Sequence, residues 1–310
     1  MKKKIFITGS TGCIGHYVLD EFIDNPDYEL HLLLREPSRL MPQYQNHPCV
    51  KLHQGNMEDI EQMENIIKEA DYLIHIATDW SNSDYAVKLN VEKTEKMFSF
   101  CDPNKIKKIV YFSTASILGP DNKPVKEAET IGPGYVRSKY LGYHKIKKHQ
   151  LAKKITTVFP TIVFGGDKNH PYSHISSGII PNQRYLKILR FFYIDAKFHF
   201  LHSKDIATIT KHLLLNETSE NEYVLGTKVL TGKQTIETLC EFFKIPIYFR
   251  IKVPLGFVFF LANIFKIEID PWTKYCLKNP FFEYKVVNPS DFGLKTTFPT
   301  LESVLQNLNN

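Results

Sequence analysis

The fold is decided by the stretch Lys4-Ile5-Phe6-Ile7-Thr8-Gly9-Ser10-Thr11-Gly12-Cys13-Ile14-Gly15. A short apolar run ends there in a glycine-rich turn, and helical periodicity follows over His16–Ile23. Gly9 permits a tight turn, Gly12 lets a pyrophosphate approach the backbone, and Gly15 allows close packing of helix on strand. The start of the helix offers free N–H groups to phosphate. The stretch therefore predicts a dinucleotide-binding loop between a strand and a helix.

Segments typical of strands and helices alternate through the rest of the first half. Five more short apolar runs are strand candidates: Leu30–Leu34, Val50–His53, Tyr72–Ala77, Ile109–Thr114 and Ile155–Phe159. Helical patterns lie between them at Met57–Ala70, Val87–Cys101 and Val136–Ala152. This alternation predicts an α/β protein with a Rossmann-type, doubly wound parallel sheet.

The regular alternation of strand-like and helix-like segments stops after Gly165, where proline, glycine and aromatic residues become frequent. We expect a dinucleotide-binding Rossmann domain over residues 1–165 and a smaller α/β substrate-binding cap over residues 166–310. The cap is expected to interleave with the main sheet, because Ile206–Leu215 and Tyr223–Leu225 fit the first domain equally well.

The overall composition excludes several classes of protein. The chain of 310 residues is 43% hydrophobic and 23% charged, which is ordinary for a globular protein and excludes disordered, collagen-like and coiled-coil classes. A formal net charge of +6 selects no partner by itself. Exposed aromatic residues interleaved for base stacking are not evident in the basic helical segment 135–155, so we interpret it as a solvated face and expect no nucleic-acid partner.

Other expectations concern location, membranes and metals. The cysteines are odd in number and form no CxxC pair, which favours a reducing cytoplasm. The first apolar run is too short for a signal peptide. The most apolar stretch, Val253–Phe265, is interrupted by Pro254 and Gly256, so we expect a buried cap helix or pocket wall instead of a membrane span. Histidine spacing gives no metal motif.

Tyrosine and lysine recur four residues apart, at Tyr135/Lys139, Tyr143/Lys147, Tyr193/Lys197 and Tyr248/Lys252. Only the first pair opens a predicted helix soon after a strand that ends in hydroxyl residues. Residues four apart share a helix face, so the lysine charge would lower the pKa of the phenol beside it. Tyr135 would then exchange a proton with a substrate oxygen while hydride moves to or from nicotinamide.

These features together resemble the extended short-chain dehydrogenase/reductase superfamily, which includes the NAD(P)-dependent epimerase/dehydratase family. The glycine spacing of Thr8–Gly15 and the segment Tyr135-Val136-Arg137-Ser138-Lys139 carry the resemblance. The resemblance implies catalytic roles for Tyr135, Lys139 and a hydroxyl residue at the strand end. That residue is expected to be Thr114, with Ser113 as the fallback and Ser116 as a weaker choice.

Further segments resemble the cofactor contacts of that family. They are Gly55–Met57, where Asn56 replaces the usual aspartate, and His75–Thr78, Asn90–Thr94 and Phe159–Gly165. With the glycine-rich loop and Arg35, they give a predicted set of cofactor-binding residues: Gly9, Thr11, Gly12, Cys13, Ile14, Gly15, Arg35, Asn56, Met57, Ala77, Thr78, Asn90, Tyr135, Lys139, Pro160 and Ile162.

The end of the second strand predicts the cofactor. Enzymes that prefer NAD carry an acid there, but this chain has Leu34 followed by Arg35. A guanidinium can pair with the 2′-phosphate of NADP, so we expect NADP(H) to be preferred; NAD(H) stays open because Glu36 is adjacent. The second half carries only three arginines, Arg184, Arg190 and Arg250, which favours a less charged substrate.

We expect an NAD(P)-dependent oxidoreductase that acts on an alcohol or carbonyl of a small molecule. Short sequence segments such as His75–Thr78 resemble those of the dihydroflavonol-reductase-like subgroup. One alternative is a nucleotide-sugar epimerase or dehydratase. Another is a non-catalytic dinucleotide-sensing regulator, which the presence of Tyr135 and Lys139 disfavours. A homodimer is left open.

Overall fold

A computed structural model gives the structure of the chain. It describes all residues except Met1, Ser83, Leu255, Val258, residues 260–263, Phe265, Ile267, Asn309 and Asn310. The stretch Val253–Phe265, expected as a buried helix or pocket wall, therefore lies largely outside the described residues.

Thirteen strands occur in the described part of the chain. They are β1 (Lys3–Thr8), β2 (Tyr28–Leu34), β3 (Val50–Gln54), β4 (Tyr72–His75), β5 (Lys108–Phe112), β6 (Ile155–Pro160), β7 (Ile162–Phe164), β8 (Phe192–Tyr193), β9 (Lys197–Phe198), β10 (Phe200–His202), β11 (Glu222–Leu225), β12 (Leu230–Thr231) and β13 (Ile251–Lys252).

The α-helices are α1 (Cys13–Asp20), α2 (Pro42–Gln45), α3 (Glu64–Lys68), α4 (Asp84–Val87), α5 (Thr94–Ser99), α6 (Glu127–Thr130), α7 (Gly134–Ile146), α8 (His174–Asn182), α9 (Leu186–Leu189), α10 (Ser203–Leu215), α11 (Gly232–Phe242), and two more at Pro271–Lys278 and Leu301–Asn307. Short 3₁₀ turns occur at Pro37–Arg39, Met57–Met63, Ala115–Ile117, Ala152–Lys154, Gln183–Tyr185 and Pro289–Phe292, and a π-helical turn at Lys88–Lys93.

The main sheet has seven parallel strands in the order β11-β6-β5-β4-β1-β2-β3. The centre of β1 is buried on both faces, because Ile5 and Ile7 pack in one core cluster and Phe6 in another. The strand order reverses between β1 and β4, and ligands bind in the crevice outside such a point. The predicted Rossmann-type fold is confirmed.

Two elements of the second half pack with the first. Strand β11 pairs with β6 at the edge of the main sheet, and Ile206 and Leu213 of α10 share a core cluster with Ile5 of β1. Three two-stranded sheets, β7/β10, β9/β12 and β8/β13, lie outside the main sheet. The domain boundary at residue 165 stays a prediction. None of the described helices combines the length and apolar content that crossing a bilayer requires.

Two helices differ from their predicted bounds. The single helix expected over Val87–Cys101 is divided by the π-helical turn Lys88–Lys93, where the Thr94 hydroxyl donates to the Leu89 carbonyl five residues back, at 3.1 Å. Helix α7 ends at Ile146 instead of Ala152, and the chain turns where the Leu151 N–H bonds His149 Nδ1 at 3.1 Å.

Candidate active site

A cavity of about 1160 Å³ opens at the carboxyl ends of the main strands, beside the point where the strand order reverses. Most of the predicted site residues line it: Gly9, Thr11, Gly12, Cys13, Ile14, Arg35, Asn56, Met57, Ala77, Thr78, Asn90, Thr114, Tyr135, Pro160 and Ile162. Two predicted residues, Gly15 and Lys139, are not part of the lining. The fold thus brings residues from distant parts of the sequence to one cavity.

The glycine-rich loop has the shape that a pyrophosphate requires. Gly9 has φ of 78°, and a Cβ atom there would lie 2.6 Å from the Ala77 nitrogen. A Cβ on Gly15 would lie 2.2 Å from the Gly9 oxygen, so this glycine permits α1 to pack against the loop. A Cβ on Gly12 would meet only the Gly9 oxygen, at 3.4 Å, which leaves space beside the backbone. Helix α1 starts directly after Gly12 without a side-chain cap, so its first N–H groups are available to an anion.

One end of the cavity carries the positive charge. Arg35 follows β2, Arg39 lies on the next turn, and Asn56 and Met57 follow β3. The two arginines are the only lysine or arginine side chains among the described residues that line the cavity. This end therefore suits the phosphorylated adenosine half of a dinucleotide.

Tyr135 and Thr114 reach the cavity from neighbouring elements. Tyr135 lies in the first turn of α7, and Thr114 follows β5. The Thr114 hydroxyl donates to Ser116 Oγ at 3.1 Å and accepts the Ser116 N–H at 3.2 Å, so its position is fixed. The Ser113 hydroxyl is buried without a hydrogen-bond partner and does not line the cavity. Only Thr114 and Ser116 of these three can meet a ligand.

Lys139 lies beneath the cavity and is only 2% exposed. Its ammonium donates to the Phe112 carbonyl at 2.7 Å and lies 5.4 Å from the centre of the Tyr111 ring. Burial lowers the pKa of Lys139 to about 7. Burial also raises the pKa of Tyr135 to about 12, and the Thr114 hydroxyl offsets part of that rise. A raised pKa favours the protonated form of the Tyr135 phenol at neutral pH.

Asn90 connects the elements that carry the site. Its side-chain oxygen accepts the Asp79 N–H at 2.8 Å and the Thr78 hydroxyl at 3.1 Å. Its amide nitrogen donates to the Asp79 carbonyl and to Ser138 Oγ, both at 2.9 Å. Because Ser138 in turn donates to the Tyr135 carbonyl at 2.8 Å, Asn90 joins the loop after β4 to helix α7. Its amide positions protein groups, although the residue also lines the cavity.

His75 is buried and held by hydrogen bonds to two hydroxyl groups. Its ring bonds the Thr8 hydroxyl at 2.7 Å and the Thr94 hydroxyl at 3.0 Å, and burial lowers its pKa to about 3. Within the described residues, no group of three or more histidine, cysteine, aspartate or glutamate side chains could hold a metal ion.

The sequence interpretation missed the aromatic part of the site. The Trp80 indole stacks on the Tyr135 ring with centroids 4.0 Å apart and an interplanar angle of 16°. Five phenylalanine, tyrosine or tryptophan side chains of the second half also line the cavity: Tyr172, Phe198, Trp272, Phe282 and Tyr284. Trp80 could have been noticed because it follows the strand-end segment His75–Thr78, but no local pattern marks the other five.

Comparison with known proteins gives one family. The sequence model of the NAD dependent epimerase/dehydratase family matches residues 5–226, which is more than half of the chain. Among curated proteins, the decarboxylating sterol-4-alpha-carboxylate 3-dehydrogenase of Saccharomyces cerevisiae is 29% identical over 122 residues, covering 37% of this chain and 35% of that protein. The chain spans less than half of the length of the first curated relatives it matches.

Solved structures are similar over nearly the whole chain. A UDP-N-acetylglucosamine 4-epimerase from Methanobrevibacter ruminantium M1, in complex with UDP-N-acetylmuramic acid, is 20% identical with a TM-score of 0.64, covering 99% of this chain and 96% of its own. The Bordetella bronchiseptica enzyme WbmG, in complex with NAD and UDP, is 16% identical with a TM-score of 0.69, covering 100% and 94%. At these identities the likeness establishes the fold.

Proposed function

The chain belongs to the NAD dependent epimerase/dehydratase family, and from this premise we propose that it is an NAD(P)-dependent oxidoreductase acting on an alcohol or carbonyl group. The observation that carries the proposal is a single cavity lined by the glycine-rich loop, Thr114 and Tyr135. A site for a phosphorylated cofactor and a buried proton donor thus open into the same space.

The residues of the cavity fit a nicotinamide dinucleotide. The space beside Gly12 and the uncapped start of α1 would hold the pyrophosphate, and Arg35 with Asn56 would hold the adenosine end. Pro160 and Ile162 line the same cavity and would border the nicotinamide. When bound, the cofactor supplies a hydride acceptor or donor.

Thr114, Tyr135 and Lys139 are the proposed catalytic residues. The Thr114 hydroxyl would hydrogen-bond the reacting substrate oxygen, and Tyr135 Oη would give its proton to a carbonyl oxygen; in the reverse direction the Tyr135 phenolate would take a proton from an alcohol. Lys139 lies one helical turn after Tyr135 and fixes α7 to the end of β5 through the Phe112 carbonyl. Burial lowers the pKa of Lys139 to about 7, so part of the lysine population is neutral at physiological pH.

We also propose that NADP(H) is the preferred cofactor. Arg35 lines the adenosine end of the cavity, and Leu34 stands where an acid would repel a 2′-phosphate. The structural relative WbmG contains NAD, so NAD(H) is the competing cofactor. A small-molecule substrate, a cytoplasmic location and a homodimer remain predictions.

A nucleotide-sugar epimerase or dehydratase is the second candidate. It is supported by the full-length similarity to an epimerase solved with UDP-N-acetylmuramic acid. It is opposed by the position of Arg35 and Arg39 at the adenosine end, because no other arginine or lysine among the described lining residues could neutralise a second diphosphate. A dinucleotide sensor without activity is disfavoured because Tyr135 opens into the cavity.

A substrate panel separates these functions. Purified protein is incubated with NADP(H) or NAD(H) and with alcohols, ketones and UDP-sugars, while nicotinamide absorbance and products are followed together. We expect a net absorbance change with an alcohol or ketone. Product from a UDP-sugar without net absorbance change would contradict the oxidoreductase and support the epimerase. Tight cofactor binding without product from any compound would support the sensor.

A further inference from the structure

Both tryptophans of the chain line the candidate active-site cavity. Trp80 follows β4 and is 60% exposed, although its ring is stacked on that of Tyr135. Trp272 lies at the start of the helix Pro271–Lys278, in the second half of the chain. A large exposed aromatic ring held against the proton donor is available to stack on a ligand.

The part of the cavity around Tyr135 and Trp272, away from Arg35 and Arg39, is the expected substrate end. Among the described residues, no lysine or arginine side chain lines it. The three arginines of the second half are engaged elsewhere: Arg184 lies over the Tyr185 ring, Arg190 donates to the Pro246 carbonyl at 2.8 Å, and Arg250 pairs with Glu237. No lysine lines the cavity. A diphosphate placed there would lose its hydration without gaining a countercharge, which is unfavourable.

Two polar side chains on the cavity wall formed by Phe198, Trp272, Phe282 and Tyr284 already have partners. His199 bonds the Thr227 carbonyl at 2.6 Å through one ring nitrogen and the Tyr284 N–H at 3.1 Å through the other. The Tyr284 hydroxyl donates to the Ala115 carbonyl at 3.2 Å. This wall therefore offers ring faces to a ligand, which suits an apolar ring better than a sugar rich in hydroxyl groups.

We propose that the substrate is an uncharged, ring-bearing alcohol or ketone whose ring system is held by Trp80 and Trp272, with its oxygen directed to Thr114 and Tyr135. This inference rests on the proposed function and names its substrate class. Trp80 is the proposed specificity-determining residue, because its ring stacks on the ring of Tyr135.

The test uses binding without turnover. The full-length protein is saturated with oxidised cofactor and titrated with 1-tetralone, an uncharged bicyclic ketone that cannot be reduced in this complex, and separately with UDP. Binding is measured by calorimetry and by tryptophan fluorescence, which reports on the cavity because both tryptophans line it. We expect 1-tetralone to bind and to change the fluorescence, and UDP to leave both signals unchanged.

The single variants Trp80→Phe and Trp272→Phe assign the binding to these rings. Each should weaken 1-tetralone by roughly 2- to 10-fold, the effect of one aromatic pair, while the affinity for oxidised cofactor stays as in wild type. Tyr248→Phe is the matched control, because Tyr248 is an exposed aromatic residue outside the cavity, and it should change neither affinity.

Three results would overturn the inference in protein that still binds the cofactor. The first is UDP binding tighter than 1-tetralone, the second is no binding of 1-tetralone, and the third is no effect of either tryptophan substitution. Each result contradicts the substrate class and leaves the cofactor site intact. If the wild-type protein binds neither NADP(H) nor NAD(H), that result would instead contradict the proposed function itself.

Discussion

The Lys139 ammonium donates a hydrogen bond to the Phe112 carbonyl oxygen, 2.7 Å away, instead of to the phenol of Tyr135. The sequence predicts a lysine charge beside the phenol, because the two residues are four apart on one helix face. Packing of α7 against the end of β5 directs the lysine to a backbone carbonyl. The described side chains therefore include a buried lysine with a lowered pKa and a tyrosine with a raised one.

This burial predicts how stability depends on pH. An unfolded lysine titrates near ~10.4, whereas the pKa of folded Lys139 is about 7, so between these values the unfolded chain binds one more proton than the folded chain. The contribution of Lys139 is therefore least favourable at and below about pH 7 and improves as the pH rises towards 10. Relative to Lys139→Met, wild type should gain stability across this window in urea unfolding.

The matched control is Lys147→Met, at the residue that directly follows α7. Hydrogen bonds to Tyr143 and Glu222 raise the pKa of Lys147, so its removal should not reproduce the relative change between pH 7 and 10. A difference in unfolding free energy between wild type and Lys139→Met that stays constant with pH would show that folded Lys139 titrates as a solvated lysine.

Tyr135→Phe should lower turnover by about 10²–10⁴-fold, because only the oxygen that transfers the proton is removed. Cofactor affinity should stay close to that of wild type. Tyr143→Phe is the control, taken from the second Tyr/Lys pair. The Tyr143 hydroxyl donates to Glu222 at 3.1 Å, and Tyr143 does not line the cavity. It should keep its turnover. The assignment fails if steady-state kinetics give equal losses for the two variants.

The strand-end hydroxyl can be tested by a pair of substitutions. Thr114→Val should lower turnover, because it removes the hydroxyl that lines the cavity while keeping the shape of the side chain. Ser113→Ala should be silent in kinetics and neutral or stabilising in unfolding, because its buried hydroxyl has no partner to lose. The opposite pattern of kinetic losses would move the catalytic role to Ser113.

The first half of the fold could be predicted because its signals are local. Apolar runs such as Leu30–Leu34 mark buried strands, and the spacing of Gly9, Gly12 and Gly15 marks the loop between strand and helix. The π-helical turn could not be predicted, since no pattern in the sequence marks the hydrogen bond from the Thr94 hydroxyl to the Leu89 carbonyl five residues back. Trp272 was missed for a similar reason: it reaches the cavity only through the packing of the second half.

Two glycines of the loop should respond differently to alanine. Gly15→Ala would put Cβ 2.2 Å from the Gly9 oxygen and 2.6 Å from Ser10 Cα, so the backbone must shift and stability should fall by about 1–3 kcal/mol. Gly12→Ala meets only an ordinary contact at 3.4 Å and should unfold as wild type does. Its methyl group would occupy the approach to the pyrophosphate and weaken cofactor binding by roughly tenfold or more. Urea unfolding and cofactor titration of both variants measure this, and Gly12→Ala with wild-type affinity would place the pyrophosphate elsewhere.

The choice between NADP(H) and NAD(H) should depend on Arg35, which is exposed and lines the adenosine end of the cavity. Arg35→Ala should weaken NADP(H) by about 1.5–3 kcal/mol, the range for hydrogen bonds to charged groups, and barely change NAD(H), because only NADP carries the 2′-phosphate. Lys51→Ala on the neighbouring strand β3 is the control for charge, since it removes an exposed cation that does not line the cavity. Titrating both cofactors against wild type and the two variants separates a direct contact of Arg35 with the 2′-phosphate from the electrostatic effect of the protein's overall positive charge. If wild type binds both cofactors equally, or if Arg35→Ala loses both equally, Arg35 does not contact the 2′-phosphate.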